Sequence, residues 1–260
     1  CGYHYAYGTS WKEKIALFDK FAYDMNEGLK FLNIEIDNGK IKKFYDFYEE
    51  LVRVNQYMNL TAITEMKEAI YKHFIDSLAL VFAIKDLDKK GKDFKVIDVG
   101  SGAGFPGIPL AIAFPNVEFV LIDSLNKRIK FIEDIKSKLN LENLSAFHSR
   151  AEDFALDKNN REGYDLAVSR AVANLSILSE YCIPFVKLSG NFISYKSGNV
   201  SEEVESSSKA IKILGAKLGK IKDYELPLEM GNRTLVCIEK INKTPSKYPR
   251  KAGMAKQKPL

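Results

Sequence analysis

The segment VIDVGSGAGFPG, residues 96–107, joins a β-branched run to an acidic residue and then to closely spaced glycines. Glycines that directly follow a strand let the backbone approach a ligand at the start of the next helix. Gly102, Gly104 and Gly107 also fit the dinucleotide pattern G-x-G-x-x-G, which is weak evidence alone because other nucleoside binders share it. The segment therefore predicts a nucleoside site and leaves the cofactor class open.

Acidic residues near this loop distinguish between two cofactor classes. A pyrophosphate at the turn would meet Asp98, and like charges roughly 4 Å apart repel by about 1 kcal/mol or more. S-adenosylmethionine carries a sulfonium and an ammonium and no phosphate, so a carboxylate there is favourable, directly or through water. Asp123 ends the next strand-like run, where it can accept both ribose hydroxyls of either cofactor. Glu152 or Asp153 follows the third run, where an adenine would lie, although both can equally be solvated residues at a helix start. These three acidic positions, with no basic phosphate partner beside them, favour S-adenosylmethionine over NAD.

The periodicity of the chain predicts the elements that position these residues. Apolar residues at three- and four-residue spacing predict helices in an N-terminal helical region, residues 11–92. Over residues 93–242, short apolar runs alternate with helical segments, and the last two runs follow each other without a helix. We expect an α/β fold with a doubly wound, Rossmann-like sheet, mostly parallel, with its last strand antiparallel. The predicted helices of the first region are 11–32, 39–60 and 65–84, and the first five predicted strands are 94–99, 117–123, 144–148, 164–170 and 190–196.

The positive charge of the chain is concentrated at one end. The formal net charge is +5, yet residues 243–260 alone hold six Lys or Arg residues and no acid, so the remainder is nearly neutral. This basic tail has too little apolar content to fold alone, which favours contact with an RNA backbone over a merely solvated tail. The candidate RNA-binding residues are Lys247, Tyr248, Arg250 and Lys251, with Tyr248 able to stack on a base.

Several classes of protein are excluded by what the sequence lacks. No apolar stretch approaches the roughly 18 residues of a membrane span, and no basic start precedes an apolar secretory segment, so we expect a cytoplasmic protein. Cys1, Cys182 and Cys237 form no C-x-x-C pair, and no histidine cluster has the spacing of metal ligands, so we expect neither disulfide nor metal. Residues 1–10 show no periodicity and are interpreted as tag or disordered sequence.

Longer motifs resemble one known family. Together they are similar to the bacterial 16S rRNA (guanine-N7)-methyltransferase family, RsmG, formerly called glucose-inhibited division protein B (GidB), whose members have a class I methyltransferase fold. The resemblance extends over almost everything from about residue 11 onward. The motifs are Y-x-NLT-x-I at 57–63, HFIDSLAL at 73–80, DVGSGAGFPGIPLA at 98–111, LIDSLNKRIKFI at 121–132, SRAEDF at 149–154 and SRAVANL at 169–175.

The resemblance implies an S-adenosylmethionine-dependent enzyme that methylates N7 of a guanosine in 16S rRNA or in the small ribosomal subunit, and we expect it to act as a monomer. The family's cofactor residues correspond to Gly100, Phe105, Ala151, Glu152 and Arg170. The loop and strand-end arguments above add Asp98, Gly102, Gly104 and Asp123 to the cofactor site.

Guanine N7 carries an exposed lone pair that can attack the methyl group directly, and no proton needs to leave first. Catalysis would therefore consist mostly of positioning the two reactants, and no residue is assigned a certain catalytic role. Lys196, Arg233 and Arg170 are candidates for positioning the substrate because they lie at predicted strand ends, where they can equally be ordinary surface charges. His73 and Asp76 share a helix face. A hydrogen bond from helix to sheet is favoured for them over a proton relay.

Two other functions remain open at this point. An NAD-linked oxidoreductase is opposed by Asp98 and by the absence of a His or Tyr–Lys catalytic group. A non-catalytic RNA-binding protein on a nucleoside-binding fold is opposed by the intact acids and glycines, which a scaffold would not need.

Overall fold

The computed structural model describes residues 11–171 and 173–260, and the prediction of tag or disordered sequence at 1–10 lies outside these ranges. The chain begins with two long helices, α1 (Trp11–Leu32) and α2 (Asn38–Met58). The side chain of Asp37 caps α2 by accepting a 2.9 Å hydrogen bond from the Lys40 amide. Asn59 ends the helix in the left-handed conformation, at φ 50°. Both helices agree with the prediction.

The third helical stretch is less regular than its sequence predicts. It consists of α3 (Met66–Ala69), a π-helical segment (Ile70–Ile75), α4 (Asp76–Leu78) and a 3-10 turn (Ala79–Phe82). The wider π-helical turns are frequently found near functional sites. Here they carry His73 and precede Asp76.

The sheet confirms the predicted fold class. Its order is β3-β2-β1-β4-β5-β7-β6, with every pairing parallel except those of β7 with β5 and with β6. The first five strands alternate with helices and the last two form an antiparallel pair at the edge. The strands are β1 (Lys95–Val99), β2 (Glu118–Asp123), β3 (Leu144–His148), β4 (Tyr164–Ser169), β5 (Val186–Ser197), β6 (Ala216–Glu225) and β7 (Asn232–Lys240).

The remaining helices cover both faces of the sheet. They are α5 (Gly107–Ala113), α6 (Asn126–Leu139), α7 (Ala151–Phe154), α8 (Leu175–Cys182), α9 (Ser201–Ile213) and α10 (Met254–Gln257). The chain reverses its direction across the sheet at β1, which pairs with β2 on one side and with β4 on the other. In such folds ligands bind in the crevice at the carboxyl ends of the strands beside this reversal.

The N-terminal helices share a hydrophobic core with one face of the sheet. The ring of Phe47 in α2 lies 5.2 Å from that of Phe105 and 6.4 Å from that of Phe131 in α6. A second cluster on the opposite face is built from α7, α8, α9 and the strands they cover. The division of the chain at residues 92 and 93 stays a prediction, while the helices before this point pack directly on the sheet. Within the described ranges, no helix is long and apolar enough to cross a membrane.

The basic tail, which its composition predicts to have too little apolar content to fold alone, packs against the second face. The Arg161 guanidinium donates to the carbonyl oxygens of Thr244 at 2.9 Å and of Tyr248 at 2.7 Å. The buried Lys240 ammonium donates to the Thr244 hydroxyl at 2.7 Å. The tail folds because groups distant in the sequence satisfy its backbone, which composition alone does not reveal.

Replacement of the Phe47 ring tests whether the helices and the sheet form one folding unit. Phe47 is fully buried, so Phe47→Ala is expected to lower the free energy of unfolding by about 3–5 kcal/mol. Urea unfolding should remain a single transition when monitored by circular dichroism and by fluorescence. Tyr57→Ala, at a ring that is 65 % exposed, is the control and should change stability by less than about 0.5 kcal/mol. Two separate transitions in either protein would contradict a shared core.

Candidate active site

Two cavities open at the carboxyl edge of the sheet, on either side of the segment that follows β4. The first cavity has a volume of about 490 Å³ and is lined on its apolar side by Val99, Ile122 and Leu178. The second cavity has a volume of about 720 Å³, and half of its lining residues are charged. Ala171 and Ala173 line both, so the two cavities meet at this segment.

The first cavity contains two of the predicted acidic side chains. Asp123, at the end of β2, accepts hydrogen bonds from the amides of Gly102 at 2.9 Å and Leu125 at 2.8 Å, which fix its carboxylate. Glu152, in the first turn of α7, accepts a 2.9 Å hydrogen bond from the amide of Gly253 in the tail. Tyr181 also lines this cavity. Apolar walls, one aromatic ring and two placed carboxylates are suited to an adenosine group.

The first cavity also contains cations that the sequence argument did not include. Arg150 and Lys256 are exposed and line its rim. The prediction that the acids have no basic phosphate partner beside them is therefore wrong. The preference for a phosphate-free cofactor rests instead on Asp98 and on the family assignment below.

Asp98 lies beneath the glycine loop and is fully buried. Its Oδ2 accepts a 2.9 Å hydrogen bond from the Gly107 amide, which ties the loop to the start of α5. Its Oδ1 has no hydrogen-bond partner among the residues that the structure describes. Burial raises the pKa of Asp98 to about 7, and the Gly107 amide and the Arg170 guanidinium oppose this rise. The carboxyl is thus poised to ionise if a cation approaches.

Gly104 shows why the loop needs glycine. Its φ is +91°, and a Cβ built on it would lie 2.2 Å from Cδ1 of Ile108. Any side chain here would be strained by the positive φ and would require the Ile108 side chain to move. Gly100, at φ +77°, lines the first cavity beside Ala171, and a Cβ built on it would lie 3.7 Å from the Ala171 Cβ.

The second cavity is positively charged. Its cations are Lys72, Arg170, Lys196 and Arg233, and its carboxylates are Asp76 and Glu203. The ammonium of Lys196 donates to the Ala173 carbonyl at 2.7 Å and to Glu203 at 2.6 Å, so it is held at the segment between the cavities. Such a cavity favours a ligand that carries negative charge.

Asp76 lies at the centre of the second cavity's wall and is 3 % exposed. Its Oδ2 accepts a 3.0 Å hydrogen bond from Arg170, and its Oδ1 accepts a 2.8 Å hydrogen bond from the Tyr224 hydroxyl. The Nε of Arg233 lies 3.5 Å from Oδ1. The predicted hydrogen bond from the helix to the sheet is therefore present, and it involves a second guanidinium that the sequence did not associate with Asp76.

His73 is a neutral part of the same wall. Burial and the nearby Arg170 lower the pKa of His73 to about 3. Its ring stacks on Phe105 with centroids 4.4 Å apart, and its Nε2 lies 2.8 Å from the Thr61 hydroxyl. Its Nδ1 lies 3.4 Å from Arg170. The neutral ring can accept from Arg170 and donate to Thr61, so it orients neighbours and does not need to titrate.

The structure divides the predicted cofactor residues into three groups. Gly100, Asp123, Ala151 and Glu152 line the first cavity. Arg170 lines the second cavity, with its guanidinium 5.0 Å from the Phe105 ring centroid. The third group lies outside the first cavity's lining, as far as the structure describes the chain, and helps to hold the shape of the glycine loop. Its members are Asp98, Gly102, Gly104 and Phe105.

The predicted substrate residues Lys196 and Arg233 come together in the second cavity with Arg170. Two neighbours were missed by sequence reasoning. Lys72 lies one residue before His73, and its helical position gave no signal. Tyr224 lies in β6, 148 residues from its partner Asp76, and no local pattern marks that pairing.

The tail residues serve different roles. The Tyr248 ring is 7 % exposed, so its faces are turned to the protein instead of a base. Arg250 donates to the buried Glu180 carboxylate from both its backbone amide, at 2.9 Å, and its side-chain Nε, at 2.8 Å. Lys247 and Lys251 are exposed. In the parts of the chain that the structure describes, no group of side chains is arranged to hold a metal ion.

Comparisons with known proteins agree with this geometry. Residues 40–233 match the sequence profile of the family GidB, rRNA small subunit methyltransferase G. The chain is 47 % identical over 234 residues to ribosomal RNA small subunit methyltransferase G of Acetivibrio thermocellus, covering 90 % of this chain and 94 % of the relative. It is 48 % identical over 236 residues to the protein of that name from Clostridium perfringens, covering 91 % and 97 %.

One solved structure supports the fold independently. The structure of NSun6 from Pyrococcus horikoshii with SFG matches with a TM-score of 0.52 at 15 % identity, over 71 % of this chain and 57 % of that one. The matched residues 40–233 make up most of the chain, and the glycine loop, the strand-end acids and the lining of the second cavity lie within this range. This chain belongs to the rRNA small subunit methyltransferase G (GidB) family.

Proposed function

We propose that this protein transfers a methyl group from S-adenosylmethionine to N7 of a guanosine in the 16S rRNA of the small ribosomal subunit. The observation that carries the proposal is the pair of cavities that share Ala171 and Ala173. One is apolar with carboxylates and is suited to the adenosine of the cofactor, and the other is cationic and is suited to a nucleotide. Their common wall lies where the two reacting groups would meet. A non-catalytic RNA-binding function is not favoured, because it requires neither the first cavity nor its carboxylates.

The residues of the first cavity fit the cofactor. S-adenosylmethionine, when bound, supplies an electrophilic methyl group on a sulfonium. Behind the cavity lining, the free Oδ1 of Asp98 is a buried acceptor beneath the glycine loop, which supports a role for this carboxyl toward the cofactor's positive charge. Asp123 is held by two amides in a position to accept ribose hydroxyls. The loop glycines let the backbone approach the cofactor closely.

The second cavity supports a positioning mechanism. Guanine N7 has a lone pair in the base plane and loses no proton when it is methylated, so no general base is required. The neutral His73 is consistent with this chemistry, because its low pKa makes it a poor proton acceptor near pH 7. Arg170, Lys196 and Arg233 would orient the nucleotide through its phosphate or the acceptor edge of the base.

The tail supplies a second contact with RNA in this proposal. Lys247 and Lys251 are exposed cations on a segment that is anchored by Arg250 and Tyr248. Fixed cations lose less freedom on binding a phosphate backbone than those of a disordered tail. We propose that the protein acts as a monomer in the cytoplasm, where its substrate is found.

Methyl transfer to ribosomal subunits is the direct test. Labelled S-adenosylmethionine is incubated with the protein and with small subunits from a strain that lacks this enzyme, and the RNA is digested to nucleosides. The expected product is 7-methylguanosine at one site. If S-adenosylhomocysteine binds but neither subunits nor naked rRNA are labelled, the substrate is wrong. If no cofactor binds, the catalytic proposal is overturned.

A substitution at Arg233 tests whether substrate and cofactor bind in different cavities. Arg233→Ala removes a cation from the second cavity, so the KM for small subunits should rise about 10-fold, and the log–log salt slope should become shallower by about 1. The Kd for S-adenosylhomocysteine should stay within about 2-fold, because that ligand occupies the other cavity. Lys220→Ala, at an exposed cation of β6 outside both cavities, is the matched control. Equal loss of affinity for both ligands would contradict the assignment of two sites.

The raised pKa of Asp98 predicts a proton release. At pH 6 the buried carboxyl is mostly protonated because its pKa is about 7. A nearby cation favours the charged form, so cofactor binding at this pH should release close to one proton, and affinity should rise with pH until about pH 7. Calorimetry in two buffers of different ionisation enthalpy measures the release. Asp98→Asn should abolish it, and a buffer-independent enthalpy in the wild type would refute the role of this carboxyl.

A further inference from the structure

The first cavity is closed on one side by the end of the chain. Gly253 and Lys256 of the tail line it together with residues from the ends of β1, β2 and β3. The short helix α10 begins at Met254, and its Ala255 is 1 % exposed. The tail is therefore a fixed wall of the cavity and not an appendage beside it.

Glu152 is held by this wall. The Gly253 amide donates a 2.9 Å hydrogen bond to Oε1 of Glu152, and the two residues are 101 positions apart in the chain. The bond engages one carboxylate oxygen and thereby sets the direction of the other. Among the residues described, the second oxygen has no protein donor of its own and remains available to a ligand amine.

The tail is anchored three residues earlier. Glu180 of α8 is 1 % exposed and accepts hydrogen bonds from the backbone amide and the guanidinium of Arg250. A buried carboxylate without a cation is costly, so this pair fixes the position of the tail firmly. The neighbouring Tyr181 lines the first cavity, which brings the anchor next to the ligand space.

We propose that Arg250 and Glu180 are positioning residues for cofactor recognition: they hold the tail so that the Gly253 amide orients Glu152 toward the amino group of the adenine. The inference rests on the proposed function, because it assumes that the first cavity binds an adenosine cofactor. The tail then helps the protein to select a cofactor whose base is adenine, in addition to any contact that the tail makes with RNA.

Orientation of a single carboxylate has a specific consequence for affinity. A carboxylate that is oriented to accept a hydrogen bond from an amino group disfavours an analogue with an oxygen in place of that group. The carboxylate oxygen then faces another hydrogen-bond acceptor and has no donor. S-inosylhomocysteine carries a carbonyl oxygen in place of this amino group and a hydrogen on the adjacent ring nitrogen N1, and it is otherwise the same as S-adenosylhomocysteine. When the tail is released, Glu152 loses its orientation. The affinity for S-adenosylhomocysteine and its preference over S-inosylhomocysteine should then both fall.

The test measures the Kd of both analogues by calorimetry in the absence of RNA, on the full chain. The wild type should prefer S-adenosylhomocysteine by about 10-fold or more. Arg250→Ala should raise the Kd for S-adenosylhomocysteine about 10-fold and bring the ratio of the two Kd values toward 1. Glu152→Gln should also lower the ratio. Lys243→Ala, which removes an exposed tail cation away from Glu180, should match the wild type in both quantities.

Arg250→Lys controls for a folding defect in Arg250→Ala. It keeps a cation beside Glu180 but lacks the guanidinium, which can donate to both carboxylate oxygens at once. It should give intermediate values for the Kd and the ratio, with cooperative melting. The proposal is overturned if Arg250→Ala or Arg250→Lys melts cooperatively and retains the wild-type Kd and ratio. It is also overturned if the wild type binds both analogues equally, which would leave the cofactor assignment intact. Failure of the wild type to bind S-adenosylhomocysteine would instead refute the proposed function itself.

Discussion

The site depends on one buried charge. The Asp76 carboxylate is almost completely removed from water, and such a group is tolerated only when cations and hydrogen-bond donors surround it. Arg170 comes from the end of β4, Arg233 from β7 and Tyr224 from β6, while Asp76 itself belongs to the N-terminal helices. Pairing this carboxylate therefore joins the helices to the sheet at the edge where both cavities open.

A second constraint acts on the other side of the same edge. Asp98 is buried beneath the glycine loop and gives one oxygen to the Gly107 amide. Asp123 gives an oxygen to the Gly102 amide, so two carboxylates from neighbouring strands hold the loop at two points. Arg170 donates a hydrogen bond to Asp76, and its charge opposes the rise that burial causes in the pKa of Asp98. The two cavities are thus electrostatically connected through one guanidinium.

The sequence predicted the elements well wherever a local pattern determines them. Short apolar runs correspond to β1 to β4, and the acids at or just after the ends of the first three lie at the predicted edge. The predicted strand 190–196 is longer in the structure, Val186–Ser197, because a register shift opposite Tyr164 and Leu166 lets it pair earlier. The signals failed where a residue's role depends on distant partners. Glu180 lies among apolar residues of α8 and gives no hint that it binds Arg250, and the basic composition of the tail concealed its docking.

The hydrogen bond between Glu152 and Gly253 also makes one wall of the first cavity depend on a contact between distant parts of the chain. Its partners are 101 residues apart, so a long segment of chain must be fixed before the bond can form. The consecutive strands of the parallel sheet are joined by shorter connections, and their pairing does not involve the tail. We therefore expect a molecule whose tail is undocked to keep its sheet and its far-ultraviolet spectrum while it lacks one wall of the cavity.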